Sequence, residues 1–323
     1  MRGMGETKTT RRNKPINVKS SDSRYTLMDF EREFPDDSAC MDFLVAKLYP
    51  DGIHCPKCER VTKHHRVKAR TCYECQFCGH QEYPMQGTIF ERSSTSLRLW
   101  FYAMYLMAST RCGISAKQLE REIGVSYPTA FRMFKQIRSM LDQDSDEPLG
   151  GTVEIDEAFF GGKDKWKHEA KKPHAGTGGM GKTAVLGMIQ RPASGEPGKV
   201  FATVIEGVGM RDVMPHTKTR VLPSSTVYTD EARAYRDLEK LGYGHSRVNH
   251  SQGVYVSGNV HTNSIEGFWS TVKRGLGGVY HNVSTEYLQT YLDEYVFRYN
   301  NREITGRRGM FDAFLSRIEK VTV

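Results

Sequence analysis

Three acidic residues in this sequence are placed where a carboxylate has a chemical use. Asp156 lies within the apolar run Thr152-Val-Glu-Ile-Asp-Glu-Ala-Phe-Phe160. A charge there is costly unless something pairs with it, and a metal ion is the natural partner. Asp230 closes Thr226-Val-Tyr-Thr-Asp230, at the C-terminal end of a strand pattern, where open sheets commonly put their sites. Read singly, either aspartate also suits the capping of a turn. The third candidate is Glu266, in His261-Thr-Asn-Ser-Ile-Glu-Gly-Phe-Trp-Ser-Thr-Val-Lys-Arg274. Asn263 and Glu266 also have the spacing of a helix capping box, in which Glu266 would reach back to the helix start. Carboxylate oxygens suit Mg²⁺ (or Mn²⁺), a hard ion. Lys273 follows Glu266 by seven positions, two helical turns, so both project from one face. A lysine there can hold a phosphate beside the metal, and Arg274 is its neighbour.

A second metal chemistry is written in the cysteines. Five of the 7 lie between Cys55 and Cys78, a crowding that does not suit a disulfide scaffold in so long a chain. Cys55-Pro-Lys-Cys58 and Cys75-Gln-Phe-Cys78 are separated by sixteen residues. Two such knuckles predict a zinc ribbon, with four thiolates closing the shell of one structural Zn²⁺. Cys72 with Cys75 makes an alternative pair. Cys75 with Cys78 is preferred, because Gly79 can take the strained conformation that follows a knuckle.

A third motif is rejected. Gly176-Thr-Gly-Gly-Met-Gly-Lys-Thr183 has the letters of a phosphate-binding loop, whose mechanism needs a strand before it and a helix after it. Upstream lies a Lys- and His-rich stretch, and downstream Ala184–Gln190 has the apolar, β-branched look of a strand. Residues 163–183 are expected to form a basic loop, with no nucleotide site.

The elements that must position these groups follow from composition and pattern. With 323 residues the chain has room for two or three units and a sizeable core. Its 46 Lys+Arg against 38 Asp+Glu give a net charge of +8, which favours a polyanionic partner. No apolar run has the length of a membrane span, and residues 1–19 are polar and basic without an apolar centre. These features predict a soluble, cytoplasmic and, in a prokaryote, nucleoid-associated protein. Residues 1–24 read as a disordered basic arm, solubilising or DNA-contacting. The segment from Met28 to Tyr49, with a helix starting near Pro35-Asp-Asp37, is expected to pack on the ribbon. Leu97–Met107 predicts a buried helix. Ser115 as a cap, Gly124 as a turn and Ser126 with Pro128 as a second start predict a helix-turn-helix, although any polar helical hairpin shares the pattern. Its second helix carries Arg132, Lys135 and Arg138, suited to a major groove. Gln143–Gly151 reads as a linker. Beyond it, strands at 152–160, 184–190, 200–205 and 226–230, a helix from Ala232 to Leu241 and a later helix near Tyr287–Tyr299 predict a mixed sheet with packed helices. Arg298, Arg302, Arg307 and Arg308 suit DNA or an ordinary solvated face.

These residues resemble a known family, the ISXO-like insertion-sequence transposases with a zinc ribbon, related to Merlin elements. The resemblance runs from about Met28 to Phe314. It rests on both knuckles, Gly87-Thr-Ile-Phe90, Glu154-Ile-Asp-Glu157 with Gly161-Gly162, Thr229-Asp230, His261 to Trp269, Lys273-Arg-Gly275, and Tyr291-Leu-Asp-Glu294 through Arg298-Tyr-Asn300. The thirty-five residues between Asp230 and Glu266 resemble the spacing common in Asp-Asp-Glu recombinases. The resemblance implies an α+β multidomain chain: a basic arm (1–24), an N-terminal helix and zinc ribbon (25–92), a helix-turn-helix region (93–145), a ribonuclease H-like mixed-sheet catalytic core (150–302) and a C-terminal helical tail (303–323). It implies a DNA transposase that cuts and joins inverted-repeat ends by two-metal phosphoryl transfer, with Asp156 bridging two Mg²⁺ ions and Asp230 and Glu266 each favouring one. Some members carry Asn as the third residue, so Asn263 stays open. The implied partners are double-stranded DNA, as element ends and target, and further copies of the chain, since two ends must be brought together. The rival reading is a non-catalytic zinc-ribbon and helix-turn-helix DNA-binding protein.

Overall fold

The computed structural model describes residues 25–67, 70–142, 147–161, 181–193, 197–230, 233–247, 261–304 and 306–320. The expected basic arm, Gly162 and the basic loop up to residue 180 lie outside the described residues.

Helices α1 (Leu27–Glu33) and α2 (Asp37–Leu48) each start at a side-chain cap. Thr26 accepts the Asp29 N–H at 3.2 Å, and Asp36 accepts that of Ala39 at 2.9 Å, which satisfies donors that a helix start leaves free. Helices α1 and α2 pack on α3 (Leu97–Ser109) and α9 (Met310–Ser316), in one cluster that extends through α3 to α4 (Ala116–Ile123) and α5 (Tyr127–Ser139) and holds Phe30, Phe34, Leu44, Trp100, Phe101, Phe134 and Phe311. The ribbon, expected to be the partner of Met28–Tyr49, shares this segment with α3: the Tyr73 hydroxyl donates to Asp42 at 3.0 Å, that of Tyr49 to Glu82 at 2.6 Å, and Arg66 to the Ser38 carbonyl at 3.2 Å, with Tyr73 in the same apolar cluster. The long apolar face of α3 takes the larger aromatic side chains of the segment, Phe30, Phe34 and Phe43. The ribbon consists of β1 (His54–Cys55) paired with β2 (Arg60–Val61), and of β3 (His64–Val67), β4 (Cys72–Cys75) and β5 (Gln81–Glu82) in a second antiparallel sheet.

Between α4 and α5 the chain turns at Gly124, whose φ of 69° is left-handed backbone that glycine takes without a Cβ clash. Ser115 caps α4 through the Gln118 N–H at 3.1 Å, and Pro128 stands in the first turn of α5, where its missing N–H is not needed.

The second half is a five-stranded sheet in the order β10–β9–β6–β7–β8. Its strands are β6 (Thr152–Phe160), β7 (Thr183–Gln190), β8 (Val200–Ile205), β9 (Thr226–Thr229) and β10 (Gly244–Arg247). The first three form an antiparallel meander, and β9 and β10 run parallel to β6. Helices α7 (Asn263–Gly275) and α8 (Thr285–Asn300) cover one face, around Ala158, Phe160, Val185 and Trp269. Helix α6 (Met210–Arg220) and the segment holding Tyr235 and Leu238 cover the other, around Val153, Ile155 and Val227.

Three local expectations change. Residues 233–241 form two short 3₁₀ turns, Arg233–Tyr235 and Glu239–Leu241, instead of one helix. Tyr235, at the end of the first turn, and Leu238, just before the second, both enter the core. Helix α6 and edge strand β10 were not expected, because α6 is polar with an internal proline and β10 reads Gly-His-Ser-Arg. Thr183, the last letter of the phosphate-loop motif, opens strand β7, so no helix N-terminus follows it.

Candidate active site and zinc cluster

Strand β6 brings the acids together through its register. The last aligned pair between β6 and β9 is Glu154–Tyr228, and two residues further along these parallel strands come Asp156 and Asp230. Alternation sends Glu154 and Asp156 to the face covered by α7, and Glu157 to the opposite face. Pairing with β9 has ended at this level, so the two adjacent side chains can meet around the strand edge. Carboxylate oxygens of Asp156, Glu157 and Asp230 lie within 4.8 Å of one another.

Burial, joined by the charges of Asp230 and Glu266, pushes the Asp156 carboxyl up to about 6, against the Glu157 backbone N–H and Lys273. Burial also raises the Glu157 carboxyl to about 7; the Tyr235 hydroxyl donates to it and opposes the rise, while Asp230 and Asp156 add to it. Crowded carboxylates in this state suit a divalent cation, whose charge removes the repulsion and whose hardness matches their oxygens.

Glu266, in the first turn of α7, lies outside this group of three. It lines an open cleft together with Asp156, Trp269, Ser270, Lys273 and Arg274, and its carboxylate accepts the Thr262 hydroxyl at 3.1 Å. Asn263 is the exposed first residue of α7 and does not line this cleft. The residue before the helix is Thr262, so the expected reach of Glu266 back to Asn263 becomes a reach back to Thr262. Lys273 and Arg274 are exposed, and Arg274 donates to Ser270 at 2.8 Å and Thr271 at 3.2 Å.

The close approach of α7 to the sheet depends on Gly187, the register partner of Asp156 on β7. A Cβ there would lie 2.3 Å from Trp269 Cζ2 and 3.0 Å from Ile265 Cδ1. Only glycine leaves room for the indole against the strand.

In the ribbon, the thiols of Cys55, Cys58, Cys75 and Cys78 form one group. The Cys55–Cys78 and Cys58–Cys75 sulfur separations are 3.4 and 3.9 Å. A tetrahedral ion with bonds of about 2.3 Å needs sulfurs about 3.8 Å apart, so the four residues fit zinc. Cys72 is buried at the start of β4, outside this group. The Thr62 hydroxyl, 3.1 Å from the Cys75 sulfur, is the chief reason that this thiol falls to about 5.

The three cations expected on α5 separate. Arg132 and Lys135 are exposed, the latter with its ammonium 5.3 Å from the centre of the Tyr287 ring. Arg138 corrects the expectation of a groove-facing residue. It is 3% exposed, its Nε donates to Glu294 at 2.7 Å, and its guanidinium lies 3.9 Å from the centre of the Tyr291 ring. The helical period turns position 138 inward onto α8, and a buried acid there captures the charge. Arg298 is likewise consumed: it pairs with Glu294 at 2.7 Å and donates to the Met107 and Thr110 carbonyls.

Two residues carried no assigned role in the sequence reading, although both stood in a quoted motif. Glu157, the neighbour of Asp156, alternates to the opposite face of β6, and the meeting of the two carboxylates at the strand edge depends on where pairing with β9 ends. Glu154 is fully buried and accepts hydrogen bonds from Arg191, Ser264 and Ile265. The available signal was a second acid on the Asp156 face of an apolar strand.

Comparison with known proteins gives a consistent result. Residues 148–300 match the family described as ISXO2-like transposase domain, and residues 35–81 match the transposase zinc-ribbon domain. A protein in the transposable element ISH50 of Halobacterium salinarum is 31% identical over 295 residues, covering 86% of this chain and 95% of the relative. A transposase-like protein of Haemophilus influenzae is 34% identical over 109 residues, covering 34% of this chain and 87% of the relative. Among the described residues no helix is long and apolar enough to cross a membrane.

Proposed function

We propose a mechanism from one premise: this chain belongs to the ISXO2-like transposase family and functions as a transposase. It acts on double-stranded DNA, cutting and joining the inverted-repeat ends of an insertion sequence. The observation that carries this reading is the meeting of Asp156 and Asp230 at the strand ends, with Glu266 facing the same cleft from α7. Support for a ribonuclease H-like core comes from the antiparallel meander followed by two parallel strands, with helices on both faces. Support for a helix-turn-helix comes from α4, Gly124 and α5 with Arg132 and Lys135 exposed.

Asp156, Asp230 and Glu266 would hold Mg²⁺, and Glu157 would add a fourth carboxylate beside Asp156 and Asp230. When bound, Mg²⁺ supplies the positive charge that activates water or a DNA 3′-hydroxyl and stabilises the leaving oxygen. Lys273 and Arg274 hold the DNA phosphate beside the carboxylates. The four-cysteine ribbon holds Zn²⁺ in a closed shell without an open position for substrate, so it serves structure and end recognition. Bringing two ends together requires a dimer or larger assembly on DNA.

Purified protein incubated with DNA carrying candidate ends, with and without Mg²⁺, tests this reading. Metal-dependent nicking at the ends is expected. Asp156→Ala, Asp230→Ala and Glu266→Ala should each abolish cleavage and joining while end binding survives, because both steps pass through a similarly charged phosphoryl transition state. Asn263→Ala should keep most activity. A dead Asn263→Ala beside an active Glu266→Ala would move the third role to Asn263. Activity in Asp156→Ala would reject the mechanism, and end binding without nicking in the unmodified protein would favour a DNA-binding protein without catalysis.

A further inference from the structure

We propose that Glu154 is a positioning residue that sets the distance between the Asp156 strand and the Glu266 helix. Glu154 is 0% exposed and leaves β6 on the same face as Asp156, two residues away. Its Oε2 accepts the backbone N–H groups of Ser264 at 2.9 Å and Ile265 at 3.0 Å. Its Oε1 accepts the Ser264 hydroxyl at 2.9 Å and Arg191 Nε at 2.6 Å. Arg191 in turn donates to the His261 carbonyl at 2.8 Å, so the carboxylate and its counter-ion grip the chain on both sides of the helix start.

The N–H groups of a helix's first turn have no partner within the helix, and the residue before the helix normally caps them. Thr262 holds that position in α7 but makes no side-chain cap, its hydroxyl being turned to Glu266. The cap is delivered from the sheet instead. A carboxylate at this end also opposes the helix dipole favourably. Ile265, one of the two residues pinned, immediately precedes Glu266 in the chain. Gly187 removes the steric bar to close approach, and Glu154 supplies the tether that fixes the approach. All four bonds go to protein groups, so Glu154 acts through the residues it holds and touches neither DNA nor metal. The proposal rests on the reading that Asp156 and Glu266 share a metal site.

The test uses the full-length, zinc-loaded protein and Tb³⁺, an oxygen-seeking ion whose luminescence is excited through tryptophan. Trp269 lines the cleft, and the signal lost in Asp156→Ala defines site-bound ion. Glu154→Asp keeps the charge and its pairing with Arg191 but shortens the tether by one methylene. It should retain zinc and end binding, yet bind Tb³⁺ about ten- to hundredfold more weakly, the usual effect of disturbing a group that orients a metal ligand. Its Mg²⁺ requirement for end cleavage should rise in step. Ser264→Ala, which leaves Glu154 and Arg191 in place, should weaken Tb³⁺ binding about threefold, on the loss of one such hydrogen bond, and it carries the test if Glu154→Asp does not fold. A merely structural role predicts a lower melting temperature with unchanged Tb³⁺ affinity in the folded fraction, and that result overturns the proposal. Wild-type affinity in both Asp156→Ala and Glu266→Ala would remove the metal site itself, and the proposal with it.

Discussion

Asp156 carries a cost in the folded chain. Its carboxyl, pushed up by burial and by Asp230 to about 6, ordinarily titrates near 3.9. A raised carboxyl binds protons more tightly folded than unfolded, so stability is lost as pH rises from about 4 to about 6 and stays lost at neutral pH. Asp156→Asn should therefore melt higher than the parent in magnesium-free buffer at pH 7.5, by about 1–3 kcal/mol on the size of that shift. The difference should shrink toward pH 5, and calorimetry across this range measures it. An Asn variant no more stable than the parent at pH 7.5 would remove the strain argument. At this scale the sequence was informative where a residue contradicts its surroundings. Asp156 interrupts an apolar strand and Asp230 ends one, so both were legible. Glu157 was not, because its reach around the strand edge depends on where β9 stops pairing. Arg138 was misread for the complementary reason: its acid, Glu294, is 156 positions away in the chain, and no local pattern announces it.

Elements with strong local rules were the readable ones. The cysteine spacing, the helix start near Pro35-Asp-Asp37, the cap at Ser115 and the turn at Gly124 act over a few residues, and each appears where it was expected. Helix α6 and strand β10 are held by their neighbours rather than by their own composition, and were missed. The ribbon gives this scale its prediction. Cys58→Ser or Cys78→Ser should lower bound zinc from about one ion per chain to near zero, since each leaves three sulfurs for a four-coordinate structural site. Cys72→Ser should keep the full complement, because Cys72 lies outside the sulfur group. Metal analysis after gel filtration reads this directly, and zinc lost only in Cys72→Ser would reassign the second knuckle. Loss of the ion should unfold β1–β5 locally and leave α1–α3 packed, since their aromatic core draws little from the ribbon.

For the molecule as a whole, the organising contact is the buried ion group joining α5 to α8. Burial pushes the Glu294 carboxyl up, but Arg138 and Arg298 outweigh it and hold the group below the usual range. A depressed carboxyl contributes stability that is complete above its ordinary value near 4.3 and is lost as pH falls through its folded value. Glu294→Gln should cost about 3–5 kcal/mol at pH 7, because it strands two guanidinium groups in the interior. The double change Arg138→Met with Glu294→Leu should recover part of this, since well-packed apolar pairs often replace buried ion pairs without loss. Denaturant titration compares the variants; a neutral Glu294→Gln would show that the group does not join the two halves. Helix α9 closes the structure in another way. Phe311 lies 5.6 Å from Tyr25, 6.0 Å from Phe30 and 5.8 Å from Tyr105, ring centre to ring centre, so this helix completes an aromatic core shared with Tyr25, α1 and α3. A polypeptide interrupted before α9 would leave these rings uncovered, an exposed apolar patch of the kind that favours aggregation.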